Sequence, residues 1–279
     1  MEKDLKRLLA VYGLSFKKAF GQNFLSDERL LAEIVESAGV TEKDTVVEIG
    51  CGAGTLTREL AKRAGRVIGY EIDLSLKPLL CDALAEFSNV KIVYKDVMKE
   101  KIADIEKQTG GGYKIVANLP YYITTPVVMR FLENSDKLLS MSVMVQEEVA
   151  RRFAATPATP DYGAITVGIN LRGGAKIVQF VPREKFTPAP NVDSAVVRID
   201  IDSAKFAGTN LAAVRDVVRA GFSSRRKTLA NNLINFYKLS RAEAENALAL
   251  AGIPSGARGE TLSAEDFVRL SEILENAKR

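Results

Sequence analysis

The stretch Thr45-Val46-Val47-Glu48-Ile49-Gly50-Cys51-Gly52-Ala53-Gly54-Thr55-Leu56 constrains the fold of this chain more than any other. Apart from Glu48, its first five residues are β-branched or apolar, as a strand buried in a parallel sheet requires. The turn that follows carries no side chain larger than cysteine, and its alternating glycines let the main chain bend sharply and lie against a ligand. Residues 55–64 then read as a helix with Leu56, Leu60 and Ala64 on one face. A strand, a glycine turn and a helix start, in that order, predict a small-molecule site at the turn.

The same alternation continues downstream. Strands are predicted at 66–70, 90–94 and 113–117, with helices at 74–87 and 126–132 and a short segment around 97–107. Such units imply a parallel sheet with right-handed crossovers, helices on both faces, and ligands at the carboxyl ends of the strands. Ahead of them come a short amphipathic helix within residues 1–20, a basic loop, and a helix over 27–38 capped by Ser26. Strands at 139–146, 175–181 and 194–201 and a helix at 147–154 follow. Beyond Leu211 only helices are expected, at 211–221, 225–237, 241–251 and 264–277, the last two opened by the capping boxes Ser240…Glu243 and Ser263…Asp266. The change of texture places a domain boundary near residue 206, with residues 1–206 holding the α/β domain and 207–279 a small all-helical one.

The composition excludes several chemistries. With no histidine and only two cysteines, Cys51 and Cys81, the chain has no Ser-His-Asp triad, no histidine base and too few ligands for a structural zinc; no metal is expected. No apolar run approaches the roughly 18 residues of a membrane span, and the N-terminus alternates charge with leucine, so a cytoplasmic protein is expected. The net charge of +4 is modest. Its placement is more telling: Lys17 and Lys18 near one end and Arg225, Arg226 and Lys227 near the other suit nucleic-acid phosphates.

The spacing of the glycines decides which nucleotide is held. A dinucleotide fingerprint GxGxxG beginning at Gly50 needs a glycine where the chain has Thr55, and no Gly-Lys-Ser/Thr follows to make a P-loop. Glu71, at the end of the next strand, is placed to accept both hydroxyls of a ribose. Asp96 ends the third strand in the same way. Three successive strands that end near a carboxylate would repel a pyrophosphate and suit S-adenosylmethionine, which has a ribose, an adenine amino group and a sulfonium.

The fourth strand runs into Asn118-Leu119-Pro120-Tyr121-Tyr122. This resembles the Asn/Asp-Pro-Pro-Tyr motif of methyltransferases that modify exocyclic amino groups. An adenine amino group is a weak nucleophile because its lone pair is delocalised into the ring. Two acceptors, the Asn118 oxygen and a backbone carbonyl beside Pro120, could hold its hydrogens and turn the lone pair towards the methyl group, while Tyr121 stacks on the base. Such a transfer needs positioning and electrostatics more than a strong base, in agreement with the missing histidine.

Six segments together resemble one family, the ribosomal RNA small-subunit adenine N6,N6-dimethyltransferases: Phe20-Gly-Gln-Asn-Phe-Leu25, Glu48-Ile-Gly-Cys-Gly-Ala-Gly54, Asn118-Leu-Pro-Tyr-Tyr122, Val145-Gln-Glu-Glu-Val-Ala150, Phe186-Thr-Pro-Ala-Pro-Asn-Val-Asp-Ser194 and Phe222-Ser-Ser-Arg-Arg-Lys-Thr-Leu229. The resemblance implies a class I, Rossmann-like S-adenosylmethionine-dependent methyltransferase domain followed by a small helical domain that contributes to rRNA binding. It implies two methyl groups on each of two adjacent adenosines near the 3′ end of small-subunit rRNA, within a pre-assembled small subunit, and a monomeric enzyme. By that resemblance Gln22, Asn23, Leu25, Gly50, Gly52, Glu71, Ile72, Asp96, Val97 and Asn118 hold the cofactor. Asn118, Leu119, Pro120 and Tyr121 meet the acceptor, with Phe186 as a second stacking face for an extruded adenine. Two alternatives remain: a large-subunit rRNA adenine methyltransferase of the resistance type, and an assembly factor whose binding role outweighs catalysis. A DNA adenine methyltransferase is disfavoured because no separate base-reading domain is visible.

Overall fold

Residues 11–14 and 23–277 are described by the computed structural model of the chain. The amphipathic helix expected near the N-terminus, together with Lys17, Lys18 and Gln22, lies outside the described residues. The chain divides into two compact units, one of residues 1–150 and 175–201 and the other of 151–174 and 202–279. A single cut near residue 206 does not provide for the second unit's share of residues 151–174.

The first unit is built on β2 (Thr45–Ile49), β3 (Arg66–Glu71), β4 (Val90–Tyr94), β5 (Tyr113–Asn118), β6 (Leu138–Gln146), β7 (Gly173–Val181) and β9 (Ser194–Ile201), ordered β4-β3-β2-β5-β6-β9-β7. The first five in sequence are parallel, with Val46 opposite Val67 and Val47 opposite Ile115, all fully buried apolar pairs. The parallel strands expected from the alternating units are present, and a late strand reverses: β9 runs antiparallel to β6, Gln146 facing Ser194 at one end and Ser140 facing Asp200 at the other. This brings the start of β9 to the edge where β5 and β6 finish. A separate two-stranded ribbon pairs β1 (Phe24–Leu25) with β8 (Phe186–Thr187), antiparallel.

Helix α1 (Glu28–Ser37) links β1 to β2, and α2 (Thr55–Ala61), α3 (Lys77–Ala83), α4 (Ile102–Thr109) and α5 (Thr124–Asn134) cross over between successive strands from β2 to β6. Asp27, rather than Ser26, caps α1: its carboxylate accepts from the Leu30 N–H at 3.2 Å and also pairs with Lys185 at 2.6 Å, a charge partner that serine lacks. Leu30, Leu31, Ile34 and Val35 bury the inner face of α1 against Leu56, Leu60 and Val46. Among the described residues no helix is long and apolar enough to cross a membrane.

The second unit contains α7 (Ala164–Asn170), α8 (Leu211–Gly221), α9 (Leu229–Tyr237), α10 (Arg241–Leu250) and α11 (Ala264–Asn276), with α6 (Glu147–Phe153) leading into it. Both expected capping boxes are formed, with Ser240 accepting from the Glu243 N–H and Ser263 from the Asp266 N–H. Helix α9 starts at Leu229 rather than 225, because the Thr228 side chain caps it. Helix α7 is absent from the sequence reading, since Ile165, Thr166, Val167 and Ile169 are β-branched and argue for extended chain. Burial of Val167 and Ile169 outweighs that preference. Phe222 is half-buried and packs against this unit's core, its ring 6.3 Å from that of Tyr162 and stacked on that of Phe267 at 5.9 Å, centroid to centroid.

Candidate active site

Because β2, β3, β4 and β5 are parallel neighbours, their carboxyl ends converge, and the residues that follow them line one cleft of about 250 Å³. After β2 the chain turns through Gly50, Gly52 and Gly54 at φ of +80°, +54° and +78°. At Gly52 a side chain would be strained, and its Cβ would also come within 2.9 Å of the Phe24 ring. The Gly50 N–H donates to the Tyr70 carbonyl at 2.8 Å, and the Gly52 N–H to Glu71 Oε2 at 2.9 Å. The Thr55 hydroxyl donates to the Leu25 carbonyl at 2.8 Å, joining the helix start to β1. Cys51 is inert packing, with its sulfur over Gly69, where a Cβ would approach it to 2.4 Å, and burial raises its pKa.

Two carboxyls are buried in the floor of the cleft. Glu48 is 1% exposed and its Oε2 has no hydrogen-bond partner. Burial pushes this carboxyl up to about 8, and the negative Glu71 adds to the rise. The Thr57 hydroxyl lies near enough to oppose this in part, yet outside hydrogen-bonding geometry. Glu71 is also raised by burial, against the opposing effect of the Asp73, Gly52 and Ile72 N–H groups. Its Oε1 accepts from the Asp73 N–H at 2.8 Å, so both carboxyl oxygens are already oriented by the main chain. Asp96 follows β4 and accepts from the Met98 N–H at 2.9 Å, and Arg130 on α5 donates to the Met98 and Glu100 carbonyls, anchoring that loop.

Asn118 ends β5. Its side-chain nitrogen donates to the Asn23 carbonyl at 3.0 Å, and because a carbonyl only accepts, this bond fixes which way the amide points. The amide oxygen is thereby kept as the acceptor. The Pro120 carbonyl accepts from Ile123 N–H at 3.1 Å and Thr124 Oγ1 at 3.3 Å, closing a short 3-10 turn. Of the two carbonyls beside the proline ring, that of Pro120 is therefore engaged within the turn itself. Tyr121 lines the cleft, and its hydroxyl is 2.9 Å from Ser194 Oγ.

The structure brings Asn23, Leu25, Gly50, Gly52, Glu71, Ile72, Asp96, Val97, Asn118, Leu119, Pro120 and Tyr121 to this one cleft. Phe186 is not among its lining residues. It is 4% exposed on β8 and packs in the hydrophobic cluster with Leu25 and Leu31, so the structure gives it a core position in place of the expected stacking face. Tyr122, 63% exposed on the cleft, was missed by the sequence reading although it adjoins Tyr121, as were Phe24 and Met98. Alternating exposure in the motif gave no signal for Tyr122, since its turn has no period. In the second unit, Arg225 is engaged internally: its guanidinium donates to the Pro160 and Tyr162 carbonyls at 3.1 and 3.3 Å and pairs with Glu260 at 3.5 Å. Arg226 and Lys227 are exposed in the same turn.

A family model described as ribosomal RNA adenine dimethylase matches residues 13–276. The chain belongs to the ribosomal RNA adenine dimethylase family. Curated relatives named ribosomal RNA small subunit methyltransferase A include those of Bacillus pumilus, 42% identical over 99% of both chains, and Bacillus licheniformis, 44% identical over 98% of both. Among solved structures, the 23S rRNA methyltransferase ErmE is 31% identical with a TM-score of 0.71, covering 91% of this chain and 100% of its own. A dimethyladenosine transferase from Plasmodium falciparum is 24% identical with a TM-score of 0.77, covering 91% of this chain and 98% of its own, and shares the fold. This dimethylase-family chain is an S-adenosylmethionine-dependent methyltransferase. The cleft suits that cofactor: an orphaned buried carboxyl oxygen on Glu48 and a crowded Glu71 favour a ligand that carries positive charge.

Proposed function

We propose that the enzyme dimethylates the N6 amino groups of two adjacent adenosines near the 3′ end of small-subunit rRNA, acting on a pre-assembled small subunit. The observation that carries this reading is Asn118, whose amide is locked by the Asn23 carbonyl so that an acceptor oxygen serves the cleft. S-adenosylmethionine, when bound, supplies a methyl group on an electrophilic sulfonium. Glu71 would take the ribose hydroxyls, Asp96 with Val97 and Ile72 the adenine end, and Gly50 and Gly52 the approach of the main chain. Asn23 and Leu25 would close the cofactor side from β1.

On the acceptor side, the Asn118 oxygen and the Leu119 carbonyl would hold the two amino hydrogens and draw the nitrogen towards tetrahedral geometry. Pro120 stiffens the turn that presents them. Tyr121 would support the flat face of the base, which must leave any stack to reach the cleft. Arg226 and Lys227 would meet rRNA phosphates, while Arg225 shapes the turn that displays them. Support for the small subunit over the large comes from relatives 42–44% identical over nearly the whole chain, against 31% for ErmE.

The test is direct. The enzyme, labelled cofactor and either unmethylated small or large subunits are incubated, and modified nucleotides are mapped by mass spectrometry. Two adjacent dimethyladenosines in the small-subunit RNA are expected; label confined to large-subunit RNA would overturn the reading.

A further inference from the structure

The segment preceding β9 is absorbed neither by the cofactor half of the cleft nor by the acceptor turn, yet it ends at Ser194. This residue is fully buried, is the first of β9, and faces Gln146, the last residue of β6. Since Asn118 of β5 faces Met144 of β6, strand β6 stands between the acceptor turn and β9. The 2.9 Å contact between Tyr121 hydroxyl and Ser194 Oγ therefore reaches over the end of β6 to a strand from a distant part of the sequence. Ser194 is itself well anchored. The Asp193 carbonyl accepts from the Glu147 N–H at 3.0 Å, and the Asp193 carboxylate accepts from the Arg183 N–H at 2.9 Å.

Tyr121 begins a single 3-10 turn, and nothing in so short an element fixes the angle of its ring. A base resting on that ring is held only as firmly as the ring. Phe186 packs in the core with Leu25 and Leu31, and the hydrogen bond that this segment offers Tyr121 comes from Ser194. We propose that Ser194 is a positioning residue for methyl transfer: by pinning the Tyr121 hydroxyl it fixes the plane on which the acceptor adenine lies. The proposal rests on the reading that Tyr121 receives the base.

Steady-state kinetics on unmethylated small subunits tests it with Ser194→Ala, Tyr121→Phe, the double variant and Tyr121→Ala. A free ring still offers its face, so KM is expected within about twofold of wild type while kcat falls roughly tenfold in Ser194→Ala, as misplacement of a reacting group does. Tyr121→Phe should lose the same factor and the double variant no more, because both changes remove one contact. Cofactor affinity by calorimetry and the melting temperature should stay near wild type. Losses that multiply in the double variant, or a fall in cofactor affinity matching the fall in kcat, would overturn the proposal. If Tyr121→Ala abolishes transfer while Ser194→Ala and Tyr121→Phe run at the normal rate, the pin is refuted and the stacking role stands. If Tyr121→Ala also transfers normally, the stacking role falls as well.

Discussion

The two halves of the cleft are built differently. The donor half comes from three consecutive strand ends, and the contacts of its Glu71 carboxyl are local: Gly52 to Glu71 spans 19 residues and Glu71 to Asp73 two. The acceptor half is gathered from afar, Asn118 reaching Asn23 across 95 residues and Tyr121 reaching Ser194 across 73. The donor half also carries buried carboxyls shifted towards the neutral form, whereas the polar groups of the acceptor half are an amide, hydroxyls and carbonyls. One half is thus set up to receive charge, and the other to fix direction. Substitutions should separate them, the acceptor half failing in rate and the donor half in affinity.

The largest separation is expected at Asn118. Replacing it by alanine removes the acceptor oxygen and the bond to the Asn23 carbonyl, and single-turnover transfer should fall by roughly two orders of magnitude, as when one oriented polar group is removed from a transition state. Binding to small subunits should survive, which also distinguishes catalysis from a role in assembly alone. A variant that still dimethylated at the normal rate would remove Asn118 from the acceptor site and end the division of labour drawn above.

Glu71→Ala should act the other way. Calorimetry is expected to show cofactor binding weakened by about 1–3 kcal/mol, with a smaller effect on the rate at saturating cofactor. Part of that loss comes from the Gly52 and Asp73 N–H groups, which lose their shared partner. Unchanged affinity would take Glu71 out of the ribose site.

The same contrast explains what could be read without coordinates. The donor half was legible because a glycine turn and strand-terminal acids act within short spacings, and a parallel sheet must bring consecutive strand ends together. Asn118 and Tyr121 were legible as a motif, but their partners were not. Nothing local in Ser194 or Asn23 announces a bond formed 73 or 95 residues away. Phe186 shows the opposite error: the resemblance made it a stacking face for the base, but β8 pairs with β1 and the ring packs in the core. Helix α7 was invisible because side-chain preference pointed to strand while burial decided for helix. Residues 151–174 join the helical unit through contacts such as the Tyr162 hydroxyl to the Leu262 carbonyl at 2.8 Å, which a change in composition near residue 206 does not reveal.

The gentlest slope, spread over pH units rather than set by one substitution, concerns how the donor half holds its charge. Glu48 has a carboxyl raised from an ordinary 4.5 to about 8 in the folded protein, and Glu71 is raised as well. The folded state therefore keeps protons that the unfolded chain gives up above pH 4.5. Stability from this source is complete below that pH, and is lost as pH rises through about 8. Asp27 and Asp44, lowered by Lys185 and Lys114 among other contacts, have the opposite sign, but they act only at pH below their ordinary value of 3.8 and leave this window clear. The ligand-free enzyme should thus lose roughly 1 kcal/mol of unfolding free energy per pH unit between pH 6 and 8, measured by urea denaturation. Glu48→Gln, an isostere of the neutral acid, should flatten most of that slope, leaving the part due to Glu71. A wild-type profile that stays level or rises over this range would show that Glu48 is ionised before any cation arrives, and the donor half would then be a fixed anionic site rather than one whose charge follows its ligand.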